Sequence, residues 1–274
     1  MNDRIDARGW LVVPALLIVG VLFAYPVSRL LVLSVTDPAP TLRNFKMLIE
    51  APVYLKALWN TILISGSVTL VCMLLGYPVA YTMAHVGDGL RRLLVFIVLI
   101  PFWSSILVRT FAWMVLLQQK GLINKTLVDY LGLVETPLTL IYNRTGVLIA
   151  MSHILLPFMI LPLYSVLSRI EPSLSQAAAS LGAPPVRNFV RIYLPLSLPG
   201  LVAGSVLVFV IGLGYYITPA LLGGPGDTMI AQLIEMQIAD FGNWGLAGAL
   251  AVILLLGTTM TFLLVSRSLI EGRP

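Results

Sequence analysis

Charged residues are scarce in this chain. Asp, Glu, Lys and Arg together make up 11% of its 274 residues, whereas hydrophobic residues make up 58%. This composition excludes an ordinary soluble domain and predicts an integral membrane protein. In a soluble protein the formal net charge of +5 would suggest nucleic-acid binding. Basic residues that flank membrane spans explain that charge here, so we expect the lipid bilayer as a partner and no nucleic acid.

Cysteine is almost absent as well. The single Cys72 lies in an apolar run, where packing is its expected role, and one cysteine excludes an internal disulfide or a cysteine-rich metal site. His85 and His153 are not spaced as a metal pair, so an intramembrane enzyme is disfavoured and no catalytic or metal residue is expected. The sequence also lacks the GxxxxGK(S/T) loop that holds phosphates, so we expect no cofactor on this chain.

Acidic residues and lysines are missing from the long apolar runs. An ion-coupled secondary transporter needs a site for its coupling ion at membrane depth, and intramembrane carboxylates normally provide it. That class of transporter therefore remains only as a weak alternative.

Six apolar runs are long enough to cross a hydrocarbon core of about 30 Å. They cover residues 10–35, 58–84, 93–117, 145–168, 196–218 and 243–266. The first run is longer than a signal-peptide core, so it is predicted to be a retained span. The sequence thus predicts an all-α integral membrane protein with six transmembrane helices in a single domain, 1–274, whose two termini lie on the same side.

The distribution of basic residues predicts which side that is. With the N-terminus inside, the inner segments hold nine arginines, whereas the longer outer segments hold six basic residues, including all four lysines. The positive-inside bias therefore favours cytoplasmic termini and places residues 169–195 in the cytoplasm.

Two places within the spans carry unusual residues. Arg109 lies inside the third run, where it either lines a solute pathway or gate, or pairs with outer carboxylates and helix-end carbonyls. The fifth run ends in GLGYYITPALLGGPGD, whose glycines and proline disfavour a regular helix. Tyr215, Tyr216 and Thr218 are therefore candidate pathway residues, with glycine-mediated packing and an aromatic belt as the alternative. Gly and Ala in the sixth run predict close packing against the fifth span or a partner subunit.

The segment 169–195 contains the clearest local pattern. Ser173 and Gln176 have the spacing of a capping box, which predicts a helix over 174–181. Gly182 suits the left-handed residue that ends a helix. A second helix is predicted after Pro184 and Pro185, and Pro195 is predicted to stop it.

This order of residues resembles the EAA loop of ABC importer permeases. The matching residues are Ala177, Ala178, Gly182, Ile192, Leu194 and Pro195, and Gln176 stands where the family usually has glutamate. In that family the loop folds as a coupling helix that docks in a groove of the ATP-hydrolysing subunit. The alternative is an amphipathic loop lying on lipid headgroups, but such a helix needs large apolar residues where this one has alanines.

The resemblance implies a permease of ABC importer type I architecture in a bacterial inner membrane. Its partners would be a second permease, two ATP-binding subunits that carry ATP and Mg, and an extracytoplasmic solute-binding protein. The expected ATPase-subunit interface comprises Ser173, Gln176, Ala177, Ala178, Ser180, Leu181, Gly182, Ala183 and Arg187.

Further stretches resemble the spermidine and putrescine importer type within this family. They are LVRTFAWMVLL followed by GLINK, LLGGPGDTMIAQLI, and NWGLAGALA. The resemblance implies a small organic solute, with a polyamine favoured and an amino-acid-like compound or ferric iron as alternatives.

Overall fold

The computed structural model describes residues 13–271, and the side chains of residues 13–264. This part of the chain consists of helices joined by short connections. The helices are α1 (Val13–Thr36), α2 (Arg43–Glu50), α3 (Pro52–His85), α4 (Asp88–Trp103), α5 (Ile106–Leu117), α6 (Leu122–Lys125, extended by a π turn over Thr126–Tyr130), α7 (Arg144–Leu167), α8 (Pro172–Ser180), α9 (Pro185–Leu213), α10 (Ile217–Leu222), α11 (Ile230–Ala239) and α12 (Trp244–Glu271).

Six of these helical stretches are long and apolar enough to cross a membrane. They are α1, α3, α5 continued through α6, α7, α9 and the first 21 residues of α12. The all-helical, six-span prediction is therefore confirmed. Residue 10, the predicted start of the first span, lies outside the described residues. So do Arg4, Arg8 and Arg273 and the side chain of Arg267, which contributed to the orientation argument.

The third predicted span, 93–117, differs from the observed helices. α4 ends at Trp103, the backbone is extended at Ser104 and Ser105, and α5 begins at Ile106. Pro101 cannot donate a helical hydrogen bond, and the Ser104 hydroxyl donates to the Pro101 carbonyl at 3.1 Å. The Ser104 hydroxyl thus satisfies one of the last carbonyls of α4, and the helix ends inside an apolar run that the sequence predicted to be continuous.

The described chain forms two compact units. One contains residues up to Lys56 together with Leu233–Leu256, and the other contains Ala57–Gln232 and the residues from Gly257 onwards. The single transmembrane domain predicted from the sequence stays a prediction.

In the first unit, α12 packs closely on the end of α1. A Cβ atom on Gly248 would lie 2.4 Å from the Leu30 carbonyl oxygen, and one on Gly245 would lie 2.5 Å from that of Asp37. The Asp37 carboxylate also accepts a hydrogen bond from the Gly245 backbone N–H at 2.9 Å. The small residues at the start of the sixth span therefore pack on the end of the first span, whereas the sequence predicted close packing against the fifth span or a partner subunit.

In the second unit, α7 occupies the centre. Of the residues in its most apolar stretch, 61% are buried inside the protein, more than in any of the other five spans. α9 lies directly against it, because Gly200 and Gly204 leave room for the α7 backbone. A Cβ on Gly204 would meet the Met159 carbonyl oxygen at 3.0 Å. Small residues at such positions allow membrane helices to approach closely.

Two residues singled out in the sequence have structural partners in this unit. Cys72 is fully buried, and its thiol donates to the Ser152 carbonyl at 3.4 Å. The Trp113 indole N–H donates to His153 Nδ1 at 3.2 Å. Both residues therefore serve packing between helices, as expected for a lone cysteine and a lone histidine.

Candidate functional site

Helix α8 lies on the connection between α7 and α9, and it begins earlier than predicted. Its first residue is Pro172, and Glu171 occupies the N-cap position. Ser173 was predicted to cap the helix, but its hydroxyl lies within the first turn and donates to the Glu171 carboxylate at 3.1 Å. The fixed φ of proline favours the first helical position, which moves the start forward by two residues.

The end of α8 matches the prediction. Gly182 has a φ of +77°, in the left-handed region that glycine adopts without strain. The Ala183 N–H donates to the Ala178 carbonyl at 3.0 Å, and the Gly182 N–H donates to Ala179 at 2.9 Å. These are the two hydrogen bonds of a Schellman motif, so the chain turns sharply after one short helix.

The predicted stop at Pro195 is wrong. α9 runs without interruption from Pro185 to Leu213, and a π turn covers Phe189–Tyr193 immediately before the proline. In this turn the Leu194 N–H donates to the Phe189 carbonyl, one residue further back than in an α-helix. The wider turn relieves the clash that a proline otherwise makes with the preceding turn, so the helix continues through Pro195.

Most of the predicted interface residues are exposed. The exposed ones are Ser173, Gln176, Ala177, Ser180, Leu181, Gly182 and Arg187, whereas Ala178 and Ala183 are half-buried. Leu181 is 89% exposed. The Asn188 side-chain amide donates to the Ser175 hydroxyl, which ties α8 to the first turn of α9. Hydrogen bonds within the loop therefore hold its shape, and the loop exposes small residues and one large apolar residue.

Two of the four candidate pathway residues border the same cavity. Arg109 and Tyr215 border one cavity of about 210 Å³, whose walls include Phe102, Pro157 and Phe158. Nε of Arg109 is buried without a hydrogen-bond partner among the described residues. At Nε, Arg109 therefore makes no hydrogen bond to a carboxylate or a helix-end carbonyl, which were the partners expected if its role were structural.

The other two residues do not border this cavity. Thr218 is fully buried, and its hydroxyl pairs with that of Thr110 at 3.2 Å. Tyr216 is 40% exposed and does not border the Arg109 cavity. No group of His, Cys, Asp and Glu within the described residues could hold a metal ion.

A polar cluster that the sequence analysis missed holds the connection after α10. We call it the clasp, and it consists of Asn60, Arg144 and Asp227. The Arg144 guanidinium donates to the Asp227 carboxylate and to the Asn60 side-chain oxygen, each at 3.0 Å. The Asn60 amide in turn donates to the Gly226 carbonyl at 2.7 Å. The start of α3 and the start of α7 are thereby joined to the glycine-rich segment 223–228.

The clasp left only a weak signal in the sequence. Its residues come from three distant segments, and the sequence predicted no role for any of them. Asn143 precedes Arg144 in the chain. It is the N-cap of α7, where its side chain accepts a hydrogen bond from the Gly146 N–H at 3.1 Å. Arg144 and Asp227 carry opposite charges next to apolar runs, and this was the one sequence feature from which their ion pair could have been predicted.

The comparisons with known proteins agree with this architecture. Residues 53–271 match the family described as binding-protein-dependent transport system inner membrane component. The spermidine/putrescine transport system permease protein PotB of Escherichia coli strain K12 is 34% identical over 250 residues, which cover 90% of this chain and 89% of that protein. The protein of the same name from Haemophilus influenzae is 35% identical over 212 residues, 77% of this chain and 73% of that protein.

Solved structures share the fold. A chain of a bacterial alginate ABC transporter, crystallised with an alginate pentasaccharide-bound periplasmic protein, superimposes with a TM-score of 0.75. The superposition covers 94% of this chain and 93% of that chain, at 20% sequence identity.

These matches define the class as an ABC importer permease, a multi-pass transport subunit of the inner membrane and not an enzyme. The chain belongs to the family of binding-protein-dependent transport system inner membrane components. The resemblance noted from the loop at 176–195 is thereby confirmed.

Proposed function

We propose that this permease imports a polyamine of the spermidine and putrescine type. Support comes from relatives that carry this substrate in their names and are 34% identical over 90% of the chain. Substrate choice in such a system also depends on the solute-binding protein, which delivers the solute to the permease.

The proposed assembly contains this chain, a second permease, two ATP-binding subunits and an extracytoplasmic solute-binding protein. Both termini lie in the cytoplasm, so that α8 faces the ATP-binding subunits. ATP and Mg are held by those subunits, in keeping with the missing phosphate-binding loop in this sequence.

The exposure of α8 is the observation that carries the coupling role. Ala177 and Ala179 are exposed and offer almost no side chain, so a partner surface can approach the helix backbone. Leu181 extends fully from the end of the same helix and supplies an apolar anchor. The residues Ser173, Gln176, Ala178, Ser180, Gly182, Ala183 and Arg187 complete the proposed interface.

Closure of the ATP-binding subunits displaces α8 together with the ends of α7 and α9. The spans then shift between two packings, one open inwards and one open outwards, because ATP binds these two states with different affinity. Arg109, Tyr215, Tyr216 and Thr218 are the proposed pathway residues. The Tyr215 ring suits a cationic solute, whereas Arg109 repels one and therefore acts as a gate.

The test is reconstitution of the whole complex with an Ala177→Trp variant and an Ala177→Ser control. The bulky ring at an exposed position should abolish copurification of the ATP-binding subunits, while serine should leave it unchanged. Retention of the ATP-binding subunits by the tryptophan variant would overturn the docking role. Uptake of radiolabelled spermidine and putrescine by the wild-type complex tests the substrate, and uptake of an amino acid or ferric iron instead would refute it.

A further inference from the structure

A cluster of aromatic rings joins the end of α3 to the π turn of α9. His85 is the last residue of α3, and the Tyr81 ring stacks on it with centroids 4.1 Å apart. Tyr81 also meets the Phe189 and Tyr193 rings edge-on, at 6.0 and 5.5 Å. We call these four residues the aromatic joint. Edge-to-face and offset stacked pairs of this kind add to the free energy of packing beyond the buried area.

The hydrogen bonds within the aromatic joint define the tautomer of the His85 imidazole. His85 Nδ1 lies 2.7 Å from the Tyr81 carbonyl oxygen, and Nε2 lies 3.0 Å from the Tyr193 hydroxyl. A carbonyl only accepts, so Nδ1 carries the hydrogen. In the neutral ring Nε2 then accepts from the Tyr193 hydroxyl. Both ring nitrogens are satisfied, and each hydrogen bond fixes the ring relative to a different helix.

The π turn makes the contact possible. Phe189 and Tyr193 are its first and last residues, and both reach the Tyr81 ring. Tyr193 is 7% exposed, so the contact belongs to the protein interior. Single π turns within α-helices are rare and occur frequently at functional positions.

α3 differs from α7 and α9 in how it is connected to α8. α7 and α9 are covalently connected to α8, so they follow its displacement directly. α3 is connected in the chain only to α2 and α4, and must receive a displacement through contacts. Its other end carries Asn60 of the clasp, about 37 Å from His85 at the helical rise of 1.5 Å per residue.

We propose that His85 and Tyr193 are positioning residues that transmit the displacement of α8 to α3, and through α3 to the clasp. The proposal rests on the coupling role assigned to α8 above. In it, the hydrogen bond between His85 and Tyr193 keeps the inner end of α3 attached to α9 while α9 moves.

The test uses the complete complex in proteoliposomes with the variants Tyr193→Phe and His85→Phe. Each retains an aromatic ring and removes the hydrogen bond. Tyr164→Phe is the matched control, because Tyr164 packs on the same apolar cluster but its hydroxyl has no hydrogen-bond partner among the described residues. The readouts are copurified ATP-binding subunit, hydrolysis stimulated by the loaded solute-binding protein, and solute transported per ATP hydrolysed.

We expect maximal stimulation and solute transported per ATP to fall about five-fold in Tyr193→Phe, the size of effect expected for one lost hydrogen bond. The fall in His85→Phe should be at least as large, because this variant also loses the hydrogen bond to the Tyr81 carbonyl. The half-stimulating concentration of binding protein and the subunit yield should remain unchanged, and thermal stability should fall by no more than the lost hydrogen bonds account for. Every value for Tyr164→Phe should equal that of the wild type. A purely structural role would lower yield or thermal stability and leave the transport per ATP of the assembled complex intact.

Two outcomes are distinguishable failures. If the wild-type complex is stimulated and both variants equal it, the aromatic joint does not transmit the displacement and only this proposal is wrong. If the wild-type complex shows neither stimulation nor uptake, the proposed function is wrong and this proposal falls with it.

Discussion

The segment 223–228 and the loop around α8 are both short connections next to the same helices, yet they are held in opposite ways. Side chains from two other segments grip the first, and the Asp227 carboxylate, 12% exposed, meets the Arg144 guanidinium. The loop around α8 is held by its own backbone turn and by side-chain hydrogen bonds within the loop, among them the one between Ser175 and Asn188. Contacts within the chain hold the first connection in place. The second connection presents an exposed surface, where an ATP-binding subunit is proposed to dock.

The largest expected loss follows from breaking the support that both connections share. In Gly204→Leu the new side chain would clash with Met159, because a Cβ at this position already lies 3.0 Å from the Met159 carbonyl oxygen and 3.2 Å from its Cα. Overpacking of this kind costs about 1–3 kcal/mol, and a leucine against a backbone belongs at the upper end. The variant should give little folded protein in detergent and a lower melting temperature. Gly66→Leu is the control, because a Cβ at Gly66 meets nothing within 4 Å. Equal melting temperatures for the two variants would contradict the packing of α9 on α7.

A smaller loss is expected from opening the clasp. Asp227→Asn keeps the shape of the side chain but removes its charge, and with it the ion pair to Arg144. A hydrogen bond to a charged group contributes about 1.5–3 kcal/mol, so we expect a destabilisation of about 2 kcal/mol in thermal unfolding. Asp129→Asn provides the control, since Asp129 is exposed and makes no ion pair among the described residues. A melting temperature unchanged in both would show that the clasp does not hold the segment.

The smallest effect on stability is expected at the open surface. Leu181→Ser should leave the melting temperature unchanged, because the leucine is 89% exposed and its removal opens no cavity. The affinity for the ATP-binding subunit should nevertheless fall about tenfold, measured by titration of that subunit onto the permease. Leu133→Ser, at a leucine 69% exposed in the α6–α7 connection, should change neither quantity. A loss of stability in Leu181→Ser would mean that the chain itself, and not a partner, covers this surface.

The sequence predicted the elements that depend on a continuous local pattern. Long apolar runs gave six spans, since a span requires little more than length and the absence of charge. Gly182 was predicted correctly because a left-handed helix end favours one residue type strongly.

Features that depend on contacts between distant segments, or on two competing local effects, could not be predicted from the sequence. Pro195 normally stops a helix, but a π turn before it lets α9 continue, and no residue type marks a π turn. By contrast, α4 ends at Trp103, two residues after Pro101, and the Ser104 hydroxyl satisfies the Pro101 carbonyl there. For the candidate site, the loop was found through its family pattern, whereas the clasp requires Asn60 to meet residues more than 80 positions away.

The close contact of α12 with α1 constrains how the protein is made. These two helices lie at opposite ends of the chain, and they pack glycine against backbone in one unit. While the ribosome is still translating the central spans, α1 is already in the bilayer and its partner does not yet exist. The contact between the first and last spans can therefore form only after all the spans between them have been synthesised.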